Sequence, residues 1–258
     1  MKIFLITDIH HGEHSNYPNL KGEDYVNVYG GLFREMAPSL TAEMDACDLV
    51  MNLGDFIHEE GEGRDVEMYK EAQQLLNTKT PVRHVAGNHD LRGISREEWA
   101  SLVGEEKSYY SFDLGGCHHV VLDGNITEPR GPYYVPEEQL VWLENDLATT
   151  GLKVIVYCHH PLDNQDMDTN YYFKERPERA SINNKHFVRR VFKKAGNVTA
   201  VFSGHTHFYH AQEMDGIWYY TIPSFMENDG EHKPKAEYAI ATTEGGNVSV
   251  EVIKKDVL

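Results

Sequence analysis

Two packed β-sheets with helices on their outer faces are the α/β architecture that this sequence predicts. Three features point to it. Short, continuous apolar runs recur through residue 202, helical periodicities fill the gaps between them, and the last fifty or so residues alternate with hairpin signals instead. Strand and helix units in front, with added strands behind, leave apolar faces that two sheets bury against each other.

The runs at residues 3–6, 49–53, 82–86, 118–122, 154–157 and 198–202 are bounded by turn residues and read as strands buried on both faces. Residues 25–44 carry Val28, Leu32, Phe33, Met36 and Leu40 at helical spacing, with Pro38 expected to end or kink the helix. In residues 66–76, Tyr69, Ala72, Leu75 and Leu76 form one stripe. Ser95 and Glu98 make a capping-box pattern ahead of Trp99 and Leu102. Pro136 suits a first helical position, leading into Leu140, Leu143 and Leu147. Residues 186–194 form a further helix, closed by Gly196. Behind it, residues 208–214, 217–222, 237–242 and 248–253 read as strands, with turns at Asp215-Gly216 and Gly245-Gly246-Asn247. No repeat, low-complexity tract or Pro/Ser-rich linker divides the chain, so residues 1–258 are expected to form a single domain.

At 258 residues the chain can bury one deep core, and 40% hydrophobic with 25% charged residues is ordinary for a globular protein. Its 41 acidic against 24 basic residues give a formal charge of -17. Such a surface repels nucleic-acid backbone and anionic membrane, both of which bind through Lys and Arg. Long nucleic acid and membrane are therefore excluded as partners. A small phosphate compound is not, because bound metal ions reverse the field locally. No stretch approaches the roughly 20 apolar residues of a spanning helix. The opening run is too short for a signal sequence and is interrupted by Asp8-Ile9-His10. Cys47, Cys117 and Cys158 are odd in number and irregular in spacing, which fits a reducing, cytoplasmic setting.

The chemistry-bearing residues sit directly after predicted strands. Asp8-Ile9-His10 follows the first, Gly54-Asp55 the second and Gly87-Asn88-His89-Asp90 the third. His159-His160-Pro161 and Gly204-His205-Thr206-His207 follow two later ones. Ligands of open α/β sheets collect at the carboxyl ends of strands, so five segments aim Asp, Asn and His at one crevice. Singly these pieces are weak, since a Gly-Asp pair is usually only a turn. Together, burying several carboxylates and imidazoles without a cation would be very costly. The mixed donor set suits Mn²⁺, Fe or Zn²⁺, and the lack of ligating Cys argues against a structural zinc site.

This pattern resembles the calcineurin-like metallophosphoesterase family, from Asp8 through His207 and at every metal-ligand position of the family's motif blocks. The resemblance implies a four-layer αββα sandwich of two mixed β-sheets flanked by helices, with a dinuclear metal centre. It implies that Asp8, His10 and His207 hold the first ion, that Asn88, His159 and His205 hold the second, and that Asp55 bridges them with one oxygen to each. Two ions about 3.5–4 Å apart activate a shared water as hydroxide and clamp the attacking and leaving oxygens. With Asn88 as a further substrate contact, His89 is expected to touch a phosphate or leaving oxygen, as electrostatic stabiliser or general acid. Asp90 is placed to orient His89 through its other ring nitrogen, or else serves the turn.

The remaining histidines are read more plainly. His11 and His14 face solvent or substrate, and His58 is preferred as a surface-loop residue over a supporting role at the site. His160 supports the turn at Pro161, and His210 lies on the outward face of a strand. His84, His118, His119, His186 and His232 have no motif around them, and Cys158 on a buried strand is an inert hydrophobe.

Motif spacing and a lone catalytic domain look like the bacterial cyclic-nucleotide and glycerophosphodiester phosphodiesterases, as does the segment 133–143 beside the site. The first expectation is thus a metal-dependent hydrolase of small phosphodiesters. A phosphomonoesterase or nucleotide pyrophosphatase with the same centre is second, and an inactive scaffold of the same fold is last, because His89 and all seven ligand positions are present. Residues 164–184, with Tyr171, Tyr172, Phe173, Lys174, Arg176 and Arg179, read as a lid or binding loop or as a solvated surface loop. Residues 14–24 and the stretch around Arg130 are weaker candidates. A homo-oligomer is compatible with the sequence.

Overall fold

The six continuous apolar runs all become strands, and each helical periodicity becomes a helix. The computed structural model describes residues 1–12, 30–61, 63–125, 132–227 and 233–257. In chain order its elements begin β1 (Lys2–Ile6), α1 (Leu32–Asp45), β2 (Leu49–Asn52), α2 (Arg64–Leu75) and β3 (Val82–His84). Next come α3 (Asp90–Gly93), α4 (Arg96–Val103), β4 (Tyr110–Leu114), β5 (Cys117–Leu122), α5 (Glu137–Thr149) and β6 (Lys153–Cys158). Then follow α6 (Lys185–Ala195), β7 (Val198–Ser203), β8 (His210–Met214), β9 (Ile217–Thr221), β10 (Glu237–Glu244) and β11 (Asn247–Lys254).

Among the described residues the strands form two mixed sheets, ordered β11-β10-β1-β2-β3 and β4-β5-β6-β7-β9-β8. In the first, β1, β2 and β3 run parallel, while β10 and β11 add antiparallel pairs. In the second, β5, β6, β7 and β9 run parallel, with β4 and β8 antiparallel on the edges. Alternation along each strand builds the layers. Ile3, Leu5, Leu49 and Met51 point into a cluster with Tyr157, Ala200 and Phe202 of the facing sheet. Phe4, Ile6 and Val50 point the other way, onto Phe33, Leu40, Tyr69 and Trp99 from α1, α2 and α4. Val154, Val156 and Cys158 meet Leu143, Leu147, Val188 and Phe192 from α5 and α6. This is the four-layer αββα sandwich, and each fully buried large side chain contributes roughly 1.5–3 kcal/mol to it.

The details depart from expectation in three places. Pro38 lies inside α1, which runs on to Asp45. The burial of Met36, Ala37 and Leu40 on both sides of it outweighs one lost backbone hydrogen bond. Residues 25–29 of that predicted helix lie outside the described residues, as do residues 14–24, Arg130 and His232. Pro136 stands one position before α5, as its N-cap. Strand β4 was not expected, although Gly115 and Gly116 at φ of 59° and 78° make the two-residue turn that joins it to β5. Ser95 does cap α4, accepting the Glu98 N–H at 3.2 Å. No helix among the described residues is long and apolar enough to cross a membrane.

Away from the strand exits, His118 on β5 is held between Asp113 at 2.6 Å and Asp146 at 2.8 Å. Burial pulls this imidazole down, but the two carboxylates override it and raise its pKa above the ordinary value of 6.5. A folded-state pKa above the unfolded one stabilises the fold fully below the unfolded value, and that contribution is lost as pH rises through the folded value. The melting-temperature gap between the wild type and His118→Gln is therefore expected to be larger at pH 6 than at pH 9. A gap that does not change with pH would show that folding leaves the imidazole pKa unshifted.

Candidate metal centre

Five strand exits converge where the two sheets meet at their carboxyl ends. Backbone bonds lock the exits together: Asp8 N–H donates to Gly54 O, His10 N–H to Asp55 O and Gly204 N–H to His159 O, all at 3.0 Å. Thr7 O accepts the Phe225 N–H, again at 3.0 Å. Two glycines allow this approach. A Cβ on Gly87 would lie 1.9 Å from Asp55 N, and one on Gly204 would lie 2.0 Å from Thr7 Oγ1 and 2.5 Å from Asp8 Oδ2. Five side chains are presented from left-handed backbone: Asp8 (φ 48°), His10 (46°), Asp55 (50°), His205 (68°) and His207 (66°). Among the described residues only Asp215 and Ala236 are other non-glycines with positive φ. Each such conformation costs about 1–3 kcal/mol and persists only where its surroundings enforce it, so the strain is concentrated at this cluster.

The carboxylates each use one oxygen to hold the scaffold. Asp8 Oδ2 accepts Thr7 Oγ1–H at 2.7 Å and the His205 N–H at 2.9 Å, leaving Oδ1 turned inward, 3.3 Å from His207 Nε2. Asp55 Oδ1 accepts the His89 N–H at 2.7 Å. Its Oδ2 lies 3.2 Å from His159 Nε2 and 3.9 Å from His10 Nε2. Oδ2 thus faces imidazoles of both groups, while Oδ1 is held by the backbone N–H of His89.

The histidines are oriented from behind. His159 Nδ1–H donates to Leu53 O at 2.9 Å, His205 Nε2–H to Arg179 O at 2.9 Å, and His207 Nδ1–H to Glu227 Oε2 at 3.1 Å. Since carbonyls and carboxylates only accept, these bonds fix the tautomers and leave His159 Nε2, His205 Nδ1 and His207 Nε2 as lone-pair donors. Asp8, His10 and His207 form one group close enough to hold a metal ion, and Asp8, Asp55 and His159 form another. Asp8 Oδ1, His159 Nε2 and Asn88 Oδ1 are buried without a hydrogen bond among the described residues. Inward-facing, unsatisfied lone pairs from carboxylate, imidazole and amide are what a cation would complete, so the residues fit a metal centre.

Without a cation the same carboxylates draw protons onto these rings. Burial pulls His207 and His159 down, but Asp8 and Glu227 beside the first raise it to about 10, and Asp55 and Asp8 beside the second raise it to about 9. Burial raises the Asp8 carboxyl, and the adjacent His207 overrides this, holding it below its ordinary value. A cation entering here displaces protons from those imidazoles.

His89 stands at the rim, its Nε2 4.0 Å from Asp55 Oδ2. Its partner is not Asp90. Asp90 Oδ1 accepts the N–H groups of Phe56 at 2.9 Å and Ile57 at 3.1 Å, and Oδ2 accepts that of Gly87 at 2.8 Å. It clamps the loops after β2 and β3 together, with its pKa raised to about 7 by burial and by Asp55. His89 Nδ1–H instead donates to Glu59 Oε2, whose other oxygen takes Arg92. Burial raises Glu59, but His89 and Arg92 bring it down to about 2. His58 is not a surface residue: it is buried, with Nδ1 3.4 Å from His10 Nδ1 and its ring 5.1 Å from that of His89. Nothing in Gly54-Asp55-Phe56-Ile57-His58-Glu59-Glu60 tells which of the two glutamates turns inward. Glu227 had no motif at all.

Of the other histidines, His11 is fully buried and does not face solvent. His160 is buried, its ring 3.7 Å from Tyr133 of the segment 133–143. Both His11 and His210 face carboxylates, Glu71 at 3.5 Å and Asp163 at 3.2 Å. The Cys158 thiol, pushed up to about 12 by burial, is inert.

A model described as calcineurin-like phosphoesterase matches residues 1–209. Over 155 residues, 58% of this chain, the sequence is 28% identical to a probable cyclic nucleotide phosphodiesterase of Fibrobacter succinogenes, of which the match covers 55%. It is 27% identical over 190 residues, 67% of this chain, to purple acid phosphatase 23 of Arabidopsis thaliana, of which the match covers 36%. The chain thus spans about half of one relative and about a third of the other. Among solved structures, a dimetal phosphatase from Danio rerio superposes with a TM-score of 0.72 at 17% identity, covering 97% of this chain and 95% of that one. A purple acid phosphatase from yellow lupin (Lupinus luteus) gives 0.65 at 13%, covering 98% and 51%. These two show a shared fold.

The close approach at Gly87 makes a test. Gly87→Ala is expected to lose about 2–4 kcal/mol in urea unfolding, because the methyl would overlap the Asp55 backbone. A loss under about 0.5 kcal/mol would mean that the two loops part freely.

Proposed function

Because the chain belongs to the calcineurin-like phosphoesterase family, whose members typically carry a dinuclear metal centre, we propose that it is a metal-dependent hydrolase of small phosphodiesters. The observation that carries this reading is the convergence of Asp8, His10, Asp55, Asn88, His159, His205 and His207 at strand exits, with inward lone pairs left unsatisfied. In this reading Asp8, His10 and His207 hold one ion, Asn88, His159 and His205 the other, and Asp55 lies between them. The donor set suits Mn²⁺, Fe or Zn²⁺. Two such ions, when bound, supply a Lewis acid for phosphate oxygens and lower the pKa of water.

The chain's own residues do the rest. Asn88 and His89 meet a phosphate oxygen at the rim. With Nδ1–H committed to Glu59, His89 presents Nε2 to the ester, where it holds or passes the proton that the leaving oxygen needs. Glu59 stays anionic and fixes that ring, so its role is one of positioning. The diester preference is supported by the Fibrobacter succinogenes relative, and the preference for small, soluble esters over long nucleic acid by the charge of -17. A phosphomonoesterase is the second reading, supported by the Arabidopsis thaliana relative. The complete cluster weighs against an inactive scaffold.

The metal-loaded chain is expected to turn over bis(p-nitrophenyl) phosphate faster than p-nitrophenyl phosphate. A tenfold preference for the monoester would defeat the diester reading. Asp55→Ala should lose both ions and all turnover, and two ions retained by elemental analysis would refute its shared position. His89→Ala should keep both ions while kcat falls roughly 10²–10⁴-fold. Glu59→Gln should lower kcat about 10–100-fold with metal content unchanged. Wild-type kcat in either variant removes that residue from the mechanism.

A further inference from the structure

Segment 164–184, between β6 and α6, reaches the rear of the His205 to His207 turn at several points. Arg179 O accepts His205 Nε2–H at 2.9 Å, and Asn170 Nδ2 donates to Thr206 O at 2.9 Å. Tyr171 OH donates to Glu227 Oε1 at 2.6 Å and Tyr172 OH to Glu227 Oε2 at 2.8 Å. The same Oε2 takes His207 Nδ1–H at 3.1 Å, and Glu227 is only 1% exposed. The Tyr172 ring lies 4.6 Å from His207, and the Phe173 ring 4.8 Å from His205.

From this we propose that Glu227, held by Tyr171 and Tyr172, is a positioning residue for His207 that couples one ion site to the ordering of segment 164–184. The inference rests on the metal-centre reading above. A buried carboxylate is costly, and packing alone would be met more cheaply by a methionine or leucine; two phenols and one imidazole are among the groups that solvate this one. What it gains is a fixed His207 tautomer and a more basic Nε2, aimed at Asp8 Oδ1. The coupling is reciprocal. If the ordered segment favours the ion, the ion favours the ordered segment to the same degree.

The test uses the full chain loaded with Co²⁺, challenged with a chelator while its visible spectrum and metal content are followed. In Glu227→Gln, one ion is expected to leave at roughly 10–100-fold lower chelator concentration, with the other unchanged. Tyr171→Phe/Tyr172→Phe, which spares the carboxylate, should shift the same ion in the same direction. Amide exchange in segment 164–184 of the wild type should rise when that ion is removed. Equal shifts of both ions, unchanged release in both variants, or exchange indifferent to the ion would each overturn the coupling. A wild-type chain that takes up fewer than two ions would overturn the metal-centre reading and this inference with it.

Discussion

The bond from the His205 N–H to Asp8 Oδ2 crosses from one sheet to the other, and the rest of the centre depends on it. It joins the exit of β1 to the exit of β7 and consumes one oxygen of Asp8, so that the other must face inward. Thr7 reinforces it from the side, and Gly204 makes room for it. Given that bond, the chain cannot leave β1 or β7 in ordinary extended geometry. The left-handed conformations at Asp8, His10, His205 and His207 follow from turning back under this constraint. A sandwich of two sheets is suited to enforcing it, because the inter-sheet core of Ile3, Leu5, Tyr157 and Phe202 fixes the separation that the bond spans.

Run length and residue type made most of this legible in the chain itself. Ile3 to Ile6 is buried on both faces, so it is continuous rather than alternating, and continuity marks it as an internal strand. The residues of the cluster stood out because Asp, Asn and His sit where such runs stop. Less legible were features whose signal lies in three dimensions. Asp90 looked like the partner of His89 because it is adjacent in sequence, yet it heads a short helix and its carboxylate turns back onto Phe56, Ile57 and Gly87. Glu59 reaches His89 from another strand exit, and Glu227 reaches His207 from beyond β9. Sequence adjacency carries no information about either. His58 read as a loop residue because loops are usually exposed; here the loop is folded inward against His10 and His89.

Two ring-orienting systems thus flank the cluster, and they differ in kind. Glu59 shares its charge between His89 and Arg92 at a partly open rim. Glu227 is buried and answered by phenols. In the proposed roles, a rim group that handles a proton benefits from access to solvent, whereas a group behind a metal ligand benefits from its exclusion. The acidic exterior and the cationic interior implied by this arrangement are compatible because fields within the crevice are set by near neighbours and not by net charge.

The five left-handed residues also set a limit on how such a chain can change. Glycine adopts these dihedrals without strain, so at Asp8, His10, Asp55, His205 and His207 the backbone alone would favour losing the side chain. If these residues hold metal as proposed, thermal robustness and ligand retention pull in opposite directions at the same five positions. A lineage released from the need for metal would be expected to shed these residues early and gain stability as it did so, whereas β-branched residues would be barred from them in either case. In this chain all five positions carry Asp or His.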